Sequence, residues 1–301
     1  MIVITGPTAC GKTKIAATLA CEISGEVVYA DSMCVYKKMD IGTAKPAAEA
    51  RMGVTHHMID VVYPDETFSA GLYRQMSDPI INNIESRGKI PVLSGGTGFY
   101  INAAVYGTEF TSHDDRGIRE NLIEFAEREG SERLHALLRE ADPETAKTLS
   151  HKNVRRVARA LAFYKSTGQT IFSHNLTESK KPPQKNVFFF ILAAERDELY
   201  KRINKRVDIM MECGLLEEVK GLLAEGYHGG LVSMQGIGYK ELVRHLAGDC
   251  SLGDAIEQIK QNTRRYAKRQ LTWFKNRPNP GAIIIDSEND PITQIKKIIS
   301  G

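Results

Sequence analysis

Short apolar runs and amphipathic stretches alternate over the first hundred residues, and the alternation returns near residue 186. Buried strands are predicted for the short apolar runs at residues 2–4, 26–30, 89–93, 186–194 and 282–286. A further short strand is expected just after His56–Asp60. Apolar residues recur at helical spacing over 14–24 and 67–87, although Pro79 should kink or interrupt the second helix. The alternation predicts an α/β fold in which helices flank a parallel sheet.

Between about residue 111 and residue 186 the sequence shows no strand pattern. Helices are predicted there for the charged, amphipathic stretches at 116–130, 131–141, 143–149 and 153–167. We therefore predict an all-helical insertion domain at 111–184 within a sheet domain formed by 1–110 and 185–301. Beyond it, Asp197 is expected to cap a helix that carries Arg202 and Arg206, and the last long helix should span about 254–276.

A phosphate-binding motif joins the first predicted strand to the first predicted helix. The motif G-x-x-x-x-G-K-[ST] is matched by Gly6, Pro7, Thr8, Ala9, Cys10, Gly11, Lys12 and Thr13. In such a loop, backbone N–H groups and the start of the following helix attract phosphate oxygens. We expect Lys12 to reach the terminal phosphates and Thr13 to bind Mg2+, which makes the sheet domain P-loop NTPase-like.

Two other predicted strands also end in polar or glycine-rich residues. In open parallel sheets, ligands bind beyond the carboxyl ends of the strands, and Asp31 lies at such an end. Its carboxylate is placed to bind a metal or to accept a proton, but an Asx turn or a helix cap explains its position equally well. The glycine-rich turn Ser94–Tyr100 follows the strand at 89–93 and indicates substrate contact.

Composition restricts the protein class only mildly. The net charge is +3, and the five cysteines form no Cys-x-x-Cys pair, which argues against a zinc site and against a disulfide framework. The chain begins at its first predicted strand, and no apolar run approaches the length of a membrane span. A cytoplasmic protein is expected, and neither a membrane nor a protein partner is implied.

Basic residues are concentrated on two predicted helices. Arg155, Arg156 and Arg159 share one face of the first, because residues three and four apart are neighbours. The second carries Arg264, Arg265, Lys268 and Arg269 interleaved with Tyr266, Trp273 and Phe274, and no acidic residue occurs from 258 to 285. Trp273 and Phe274 are expected to pack on the core, whereas the basic residues suit a polyanion.

Three classes of protein are compatible with a phosphate loop: a small-molecule kinase, a regulatory nucleotide switch, and a transferase that binds a diphosphate leaving group. The switch is disfavoured because the chain contains no Asn-Lys-x-Asp motif, which a guanine-reading switch would need. A small-molecule kinase does not need two basic helices. The basic surfaces therefore favour a transferase that acts on RNA.

Several blocks, in order along the chain, resemble the tRNA dimethylallyltransferase (isopentenyltransferase) family. They are Gly6–Thr13, Asp31–Ser32 with Tyr36, Met39–Pro46, His56–Asp60, Gly95–Tyr100, Gly236–Lys240 and Thr263–Trp273. The phosphate loop occurs in many families, but the Met39–Pro46 block and the basic block at 263–273 are far more specific. The sequence shows no zinc-finger extension, and in this respect it resembles the bacterial type of the family.

The resemblance implies transfer of a dimethylallyl group from its diphosphate to the N6 amine of the adenosine 3′ of the anticodon, position 37 of tRNA. It implies that Asp31 is the general base, while Lys12, Thr13 with Mg2+, the loop N–H groups and Arg206, with Arg202 as a second candidate, stabilise the departing diphosphate. It also implies tRNA contacts by Asp31, Ser32, Met33, Cys34, Thr97, Arg119, Arg155, Arg156, Val157, Ala158, Arg159, Gln235, Gly236, Gly238, Tyr239 and Lys240. The alternatives are an adenylate isopentenyltransferase, which prenylates AMP or ATP, and a small-molecule kinase.

Overall fold

A computed structural model of the chain describes residues 1–109, 116–276 and 281–300. The described residues form two compact units. Unit 1 comprises residues 1–107 and 183–301, and unit 2 comprises residues 108–182, each apart from the positions outside the described ranges. The expected boundary between residues 110 and 111 lies outside those ranges.

Unit 1 is built on a six-stranded parallel sheet, as the apolar runs predicted. The strands are β1 (Ile2–Thr5), β2 (Gly25–Tyr29), β3 (His56–His57), β4 (Ile90–Gly95), β5 (Phe188–Ala193) and β6 (Ile283–Asp286). Their order across the sheet is β3-β2-β4-β1-β5-β6, and every pairing is parallel. The α/β fold is therefore confirmed. β4 lies between β1 and β2, an arrangement that matters for the site.

Helices connect the strands of unit 1, because parallel strands require crossover connections. They are α1 (Lys12–Glu22), α2 (Ala70–Ser86), α3 (Gly98–Tyr106), α9 (Arg196–Glu212), α10 (Leu215–Ala224), α11 (Tyr239–Leu246), α12 (Leu252–Asn276) and α13 (Pro291–Ser300). Val3 and Ile4 in the middle of β1 are fully buried, as are Val27 of β2 and Val92 of β4. The helices of unit 1 thus cover both faces of the sheet around β1, β2 and β4.

Three local predictions are corrected by the structure. α2 is one helix with Pro79 inside it, nine residues after its first residue, so the predicted interruption is wrong while the predicted kink stays a prediction. His56 and His57 are themselves the short strand β3, rather than the approach to it. α9 is capped not by Asp197 but by Glu195, whose carboxylate accepts a hydrogen bond from the Asp197 N–H at 2.8 Å.

Unit 2 is helical over its described residues and comprises α4 (Arg116–Glu129), α5 (Ser131–Ala141), α6 (Pro143–Thr148), α7 (Val154–Thr167) and α8 (Ile171–Ser179). It has its own core, in which Leu134, Leu138 and Val157 are fully buried. The buried Asp142 carboxylate accepts from Thr145 N–H and from Phe172 N–H, and so joins α6 to α8. α8 was not predicted from the sequence. Within the ranges given above, neither unit contains a helix long and apolar enough to cross a membrane.

Candidate active site

The phosphate loop (Gly6–Thr13) lies at the carboxyl end of β1 and leads directly into α1. Gly11 precedes the first helical residue with φ of 88°, a left-handed conformation that favours glycine over residues with a side chain. The Lys12 ammonium donates hydrogen bonds to the carbonyls of Gly6 at 3.1 Å and Pro7 at 2.6 Å. Lys12 therefore lies across the loop, beside the unpaired N–H groups of the first turn of α1.

The glycine turn (Ser94–Tyr100) lies between the phosphate loop and the end of β2. Thr5 of β1 is in register with Gly95 of β4, and the Thr5 hydroxyl donates to the Gly95 carbonyl at 2.8 Å. On the other side, the Thr97 N–H donates to the Ala30 carbonyl at 3.0 Å, and the Thr97 hydroxyl oxygen accepts from the Ser32 N–H at 3.0 Å. The glycine turn thus fixes the end of β2 relative to the end of β1.

Asp31 follows β2 directly, and its two carboxylate oxygens differ in their surroundings. Oδ1 accepts hydrogen bonds from the N–H groups of Met33 at 2.9 Å and Cys34 at 3.4 Å, which is an Asx turn. Oδ2 makes no hydrogen bond within the part of the chain that the structure describes. The two interpretations of Asp31 are therefore compatible, because one oxygen shapes the turn while the other remains available for chemistry.

Buried hydroxyl and thiol groups surround Asp31. Burial raises the pKa of Tyr266, and the negative charge of Asp31 raises it further, whereas a hydrogen bond with Thr97 opposes the rise. Burial also raises the pKa of Tyr100, with smaller contributions from Tyr36 and Asp31. The Cys34 thiol has its pKa raised by burial first and by Asp31 second. These groups therefore stay protonated at neutral pH and are not available as bases there.

Arg206 approaches the phosphate loop from α9. Its guanidinium is largely desolvated, which lowers its pKa, and Cys10 of the loop opposes this shift. A desolvated cation beside the loop suits an anionic ligand. Arg202, one turn earlier, instead pairs with Glu288 at 3.0 Å and Glu198 at 3.4 Å, so the structure gives it other partners.

Two of the segments predicted to contact tRNA lie side by side. A Cβ atom added at Gly236 would meet the Met33 side chain at 2.4 Å, so the segment Gln235–Lys240 packs against Asp31–Cys34. Gln235 is exposed and Lys240 is half-buried, with its ammonium 3.7 Å from Glu241. The solvent-accessible members of both segments thus belong to one surface.

Four residues on the predicted tRNA-contact list have buried side chains. Tyr239 is fully buried, and its hydroxyl donates to Glu218 at 2.7 Å. Cys34 is buried at the Asx turn. Val157 and Ala158 lie in the core of unit 2, on the face of α7 opposite its arginines. Burial of these side chains leaves the backbone of the four residues for any direct contact, so their tRNA contacts stay predictions.

Most of the predicted basic residues are exposed. On α12 these are Arg265, Lys268 and Arg269, and in unit 2 they are Arg119 on α4 and Arg155, Arg156 and Arg159 on α7. Arg264 differs, since it is half-buried and its guanidinium donates to the Asn204 amide oxygen at 2.6 Å. Trp273 packs edge-on against Phe99, with ring centroids 4.7 Å apart, and Phe274 is buried as expected.

Two polar residues that hold the site together were not predicted. Gln270 of α12 is buried and bonds to both the phosphate loop and the glycine turn. Glu218 of α10 accepts hydrogen bonds from the N–H groups of Asp40, Ile41 and Gly42. A signal for Gln270 was present in the sequence: the spacing Ala267, Gln270, Phe274 places it on the buried face of α12.

The phosphate loop joins β1 to α1. The glycine turn and the Asp31 carboxylate lie at the same edge of the parallel sheet. This arrangement defines a P-loop protein with a candidate ligand site at that edge. The family model for IPP transferase matches residues 34–277. The chain belongs to this family.

Relatives extend the match across the phosphate loop. The tRNA dimethylallyltransferase of Acetivibrio thermocellus is 45% identical over 280 residues, which are 93% of this chain and 90% of the relative. The structure resembles that of the tRNA isopentenylpyrophosphate transferase of Bacillus halodurans, with a TM-score of 0.74, 41% identity and coverage of 100% of this chain and 95% of the other. It also resembles a eukaryotic dimethylallyltransferase acting on tRNA, with a TM-score of 0.83, 29% identity and coverage of 100% and 78%.

Proposed function

We propose that this protein transfers the dimethylallyl group of dimethylallyl diphosphate to the N6 amine of the adenosine at tRNA position 37. The observation that carries the proposal is the strand order. β4 separates β1, which bears the phosphate loop, from β2, which ends at Asp31. The phosphate loop and the Asp31 carboxylate therefore stand at one edge of the sheet, two strands apart.

The separation of β1 and β2 suits the reaction. Neighbouring strands lie about 4.8 Å apart, so β1 and β2 are separated by about 10 Å. An amine held for attack lies about 3–3.5 Å from the carbon that it attacks. A hydrogen bond from that amine to a base adds about 3 Å. The remaining distance accommodates the bond from the allylic carbon to the diphosphate oxygen, so donor, acceptor and base fit in line.

In this arrangement Asp31 accepts a proton from the adenine amine as the nitrogen attacks the allylic carbon. The C–N bond forms while the bond from that carbon to the diphosphate oxygen breaks, and the bonding electrons leave with the diphosphate. An exocyclic adenine amine is a poor nucleophile, so removal of its proton contributes about 10²–10⁴-fold. Lys12, Arg206 and the N–H groups at the start of α1 stabilise the charge that develops on the diphosphate.

The residues at the start of α1 fit a magnesium ion that accompanies the diphosphate. Thr13 is half-buried at the second position of the helix, where a hydroxyl oxygen can serve as a ligand. Mg2+ in proteins commonly retains several waters and uses one or two protein oxygens plus substrate phosphates. When bound, the ion supplies positive charge to the leaving group.

The exposed basic residues supply the binding energy for the tRNA backbone. Arg265, Lys268 and Arg269 of α12 would contact phosphates, as would Arg119, Arg155, Arg156 and Arg159 of unit 2. The segment Gln235–Lys240 and the half-buried residues Ser32, Met33 and Thr97 would contact the anticodon loop. The target base is stacked in that loop, so it must be extruded toward Asp31 at a cost of a few kcal/mol.

The experiment uses purified protein, labelled dimethylallyl diphosphate and three acceptors: an anticodon stem-loop with adenosine at position 37, the same stem-loop with guanosine there, and AMP. Label is expected only in the adenosine stem-loop, because guanosine lacks the reacting amine. Label in AMP but in neither RNA would instead establish an adenylate isopentenyltransferase. Transfer of the ATP γ-phosphoryl group to a small-molecule acceptor with formation of ADP, without prenyl transfer, would favour a kinase.

A further inference from the structure

Gln270 connects two separate loops of the site through one buried amide. Its side-chain oxygen accepts a hydrogen bond from the Thr8 N–H of the phosphate loop at 2.8 Å. Its side-chain nitrogen donates to the Gly96 carbonyl of the glycine turn at 3.0 Å. The residue is 5% exposed, so it is a satisfied buried polar group whose two ends are bound to two different loops.

The glycine turn is shaped around this amide. A Cβ atom added at Gly96 would lie 2.1 Å from the Gln270 side-chain nitrogen, while the nearest atom outside Gln270 would be the Gly6 carbonyl oxygen at 3.6 Å. Gly96 is not in the left-handed region. The reason for glycine at this position is therefore the approach of Gln270, rather than the backbone conformation.

We infer that Gln270 is a positioning residue that sets the distance between the diphosphate cradle and the acceptor base. The inference rests on the proposed function and deepens it. The phosphate loop holds the leaving group, and the glycine turn carries Thr97, which fixes the segment that begins at Asp31. Gln270 is the side chain that bonds directly to both loops.

The contacts of Gln270 exclude two simpler roles. Its oxygen occupies the Thr8 N–H, so that group is used for the loop and not for a phosphate. Its burial keeps it from the tRNA, which meets the other faces of α12. Its effect must therefore act through the placement of the two loops. A misplacement of reacting groups by about 1 Å can cost on the order of 10²-fold in rate.

The first test replaces Gln270 with Met, which has a similar length but neither a donor nor an acceptor for these bonds. Gln261→Met is the matched control, since Gln261 is an exposed glutamine on the same helix. In Gln270→Met, kcat for prenylation of the stem-loop is expected to fall on the order of 10²-fold. The Kd for the stem-loop should stay within about twofold of the wild type, because Gln270 does not contact RNA. A purely structural role would lower stem-loop affinity and kcat together.

The second test uses Gln270→Glu and a pH profile. An ionised carboxylate can accept from Thr8 but cannot donate to Gly96, whereas a protonated carboxyl group can do both. The activity of Gln270→Glu relative to the wild type is therefore expected to rise as the pH falls. Taking the ratio removes the pH effects that the two proteins share.

The third test is a double-mutant cycle with Gly96→Ala. Alone, Gly96→Ala displaces Gln270 and should lower kcat about as much as Gln270→Ala does. In the Gln270→Ala background the clash is gone, so Gly96→Ala should have no further effect on kcat.

Two results would overturn the inference: an active wild type whose kcat is unchanged in Gln270→Met, or effects of the Gly96 and Gln270 substitutions that simply multiply. Both are distinct from failure of the proposed function, in which the wild type itself would not prenylate the stem-loop.

Discussion

The Tyr239 hydroxyl donates a hydrogen bond to the Glu218 carboxylate at 2.7 Å, and the same carboxylate accepts from the N–H groups of Asp40, Ile41 and Gly42. Burial raises the pKa of Tyr239, and the charge of Glu218 raises it further, so the phenol remains a donor at any physiological pH. One carboxylate from α10 thus anchors the loop at 40–42 to the first residue of α11. Tyr239 therefore supports the segment Gln235–Lys240, the proposed RNA-contact segment, by holding its neighbours in place.

Replacing Tyr239 with Phe should therefore destabilise the protein without removing an RNA contact. A hydrogen bond to a charged group contributes about 1.5–3 kcal/mol, and the free energy of unfolding should fall by about that amount. Urea unfolding gives the measurement, and Tyr63→Phe, which removes an exposed hydroxyl, is the control. An unchanged free energy of unfolding would show that the Glu218 contact contributes nothing net.

Two substitutions of Asp31 are expected to separate its two functions, the Asx turn and the proposed base. Asn retains an oxygen that accepts from the Met33 N–H, so Asp31→Asn keeps the Asx turn but removes the base. Asp31→Ala loses both. Single-turnover prenylation should fall by about 10²–10⁴-fold in both variants.

Stem-loop affinity should be kept in Asp31→Asn and weakened in Asp31→Ala, because only the second variant loses the turn. Near-normal turnover in Asp31→Asn would show that Asp31 acts through the turn and not as a base.

The exposed basic residues of α12 should govern the salt dependence of RNA binding. Neutralising Arg265, Lys268 or Arg269 should weaken stem-loop binding and reduce the slope of log K against log salt by about 0.7–0.9 per lost phosphate contact. Arg264→Gln is the matched control on the same helix, because its guanidinium bonds to Asn204. The idea fails if Arg264→Gln changes the slope as much as the other three substitutions do.

His56 should make the protein sensitive to acid. Its ring packs against Tyr29, with centroids 5.5 Å apart, and both ring nitrogens are buried without a hydrogen-bond partner among residues that the structure describes. Burial, with smaller effects from Arg51 and His57, lowers the pKa of His56 from 6.5 to about 4. The lowered pKa means that the unfolded chain binds the proton first. The contribution of the neutral His56 ring to the free energy of unfolding is therefore complete above pH 6.5 and is lost as the pH falls toward 4.

His56→Phe removes this titration and keeps the ring contact. The free energy of unfolding of the wild type should drop by roughly 1–3 kcal/mol between pH 6.5 and pH 4 more than that of His56→Phe. Urea unfolding at several pH values measures the difference, with exposed His228→Gln as the control. Parallel curves for the wild type and His56→Phe would contradict the prediction.

The fold was predictable because its strongest signals are local. The apolar runs that became β1, β2, β4 and β5 are continuous along the chain, and the phosphate loop is a contiguous motif. β3 has only two residues and pairs solely through Val27 and Val28, so no periodicity could delimit it. The cap of α9 was misplaced by two positions because Glu195 and Asp197 are both plausible capping residues.

The site was less predictable because its supporting bonds join residues far apart in sequence. Gln270 lies 262 positions from Thr8, and Glu218 lies 178 positions from Asp40. A sequence pattern shows which face of a helix is apolar, but it does not show what a polar residue on that face will meet. The burial of Tyr239, Val157 and Ala158 was unpredictable for the same reason. Each lies in a segment predicted to contact RNA, and such a segment also contains residues that support its contacts.

Every strand of the sheet comes from unit 1, and unit 2 contributes none over its described residues. The chain leaves the sheet after β4 and returns at β5, the two strands on either side of β1. A change in the length or charge of the intervening helices therefore alters no strand register, and lengthening such a segment costs little closure entropy. In evolutionary terms, the length of unit 2 is expected to be freer to vary than the segments that form the sheet and the phosphate loop.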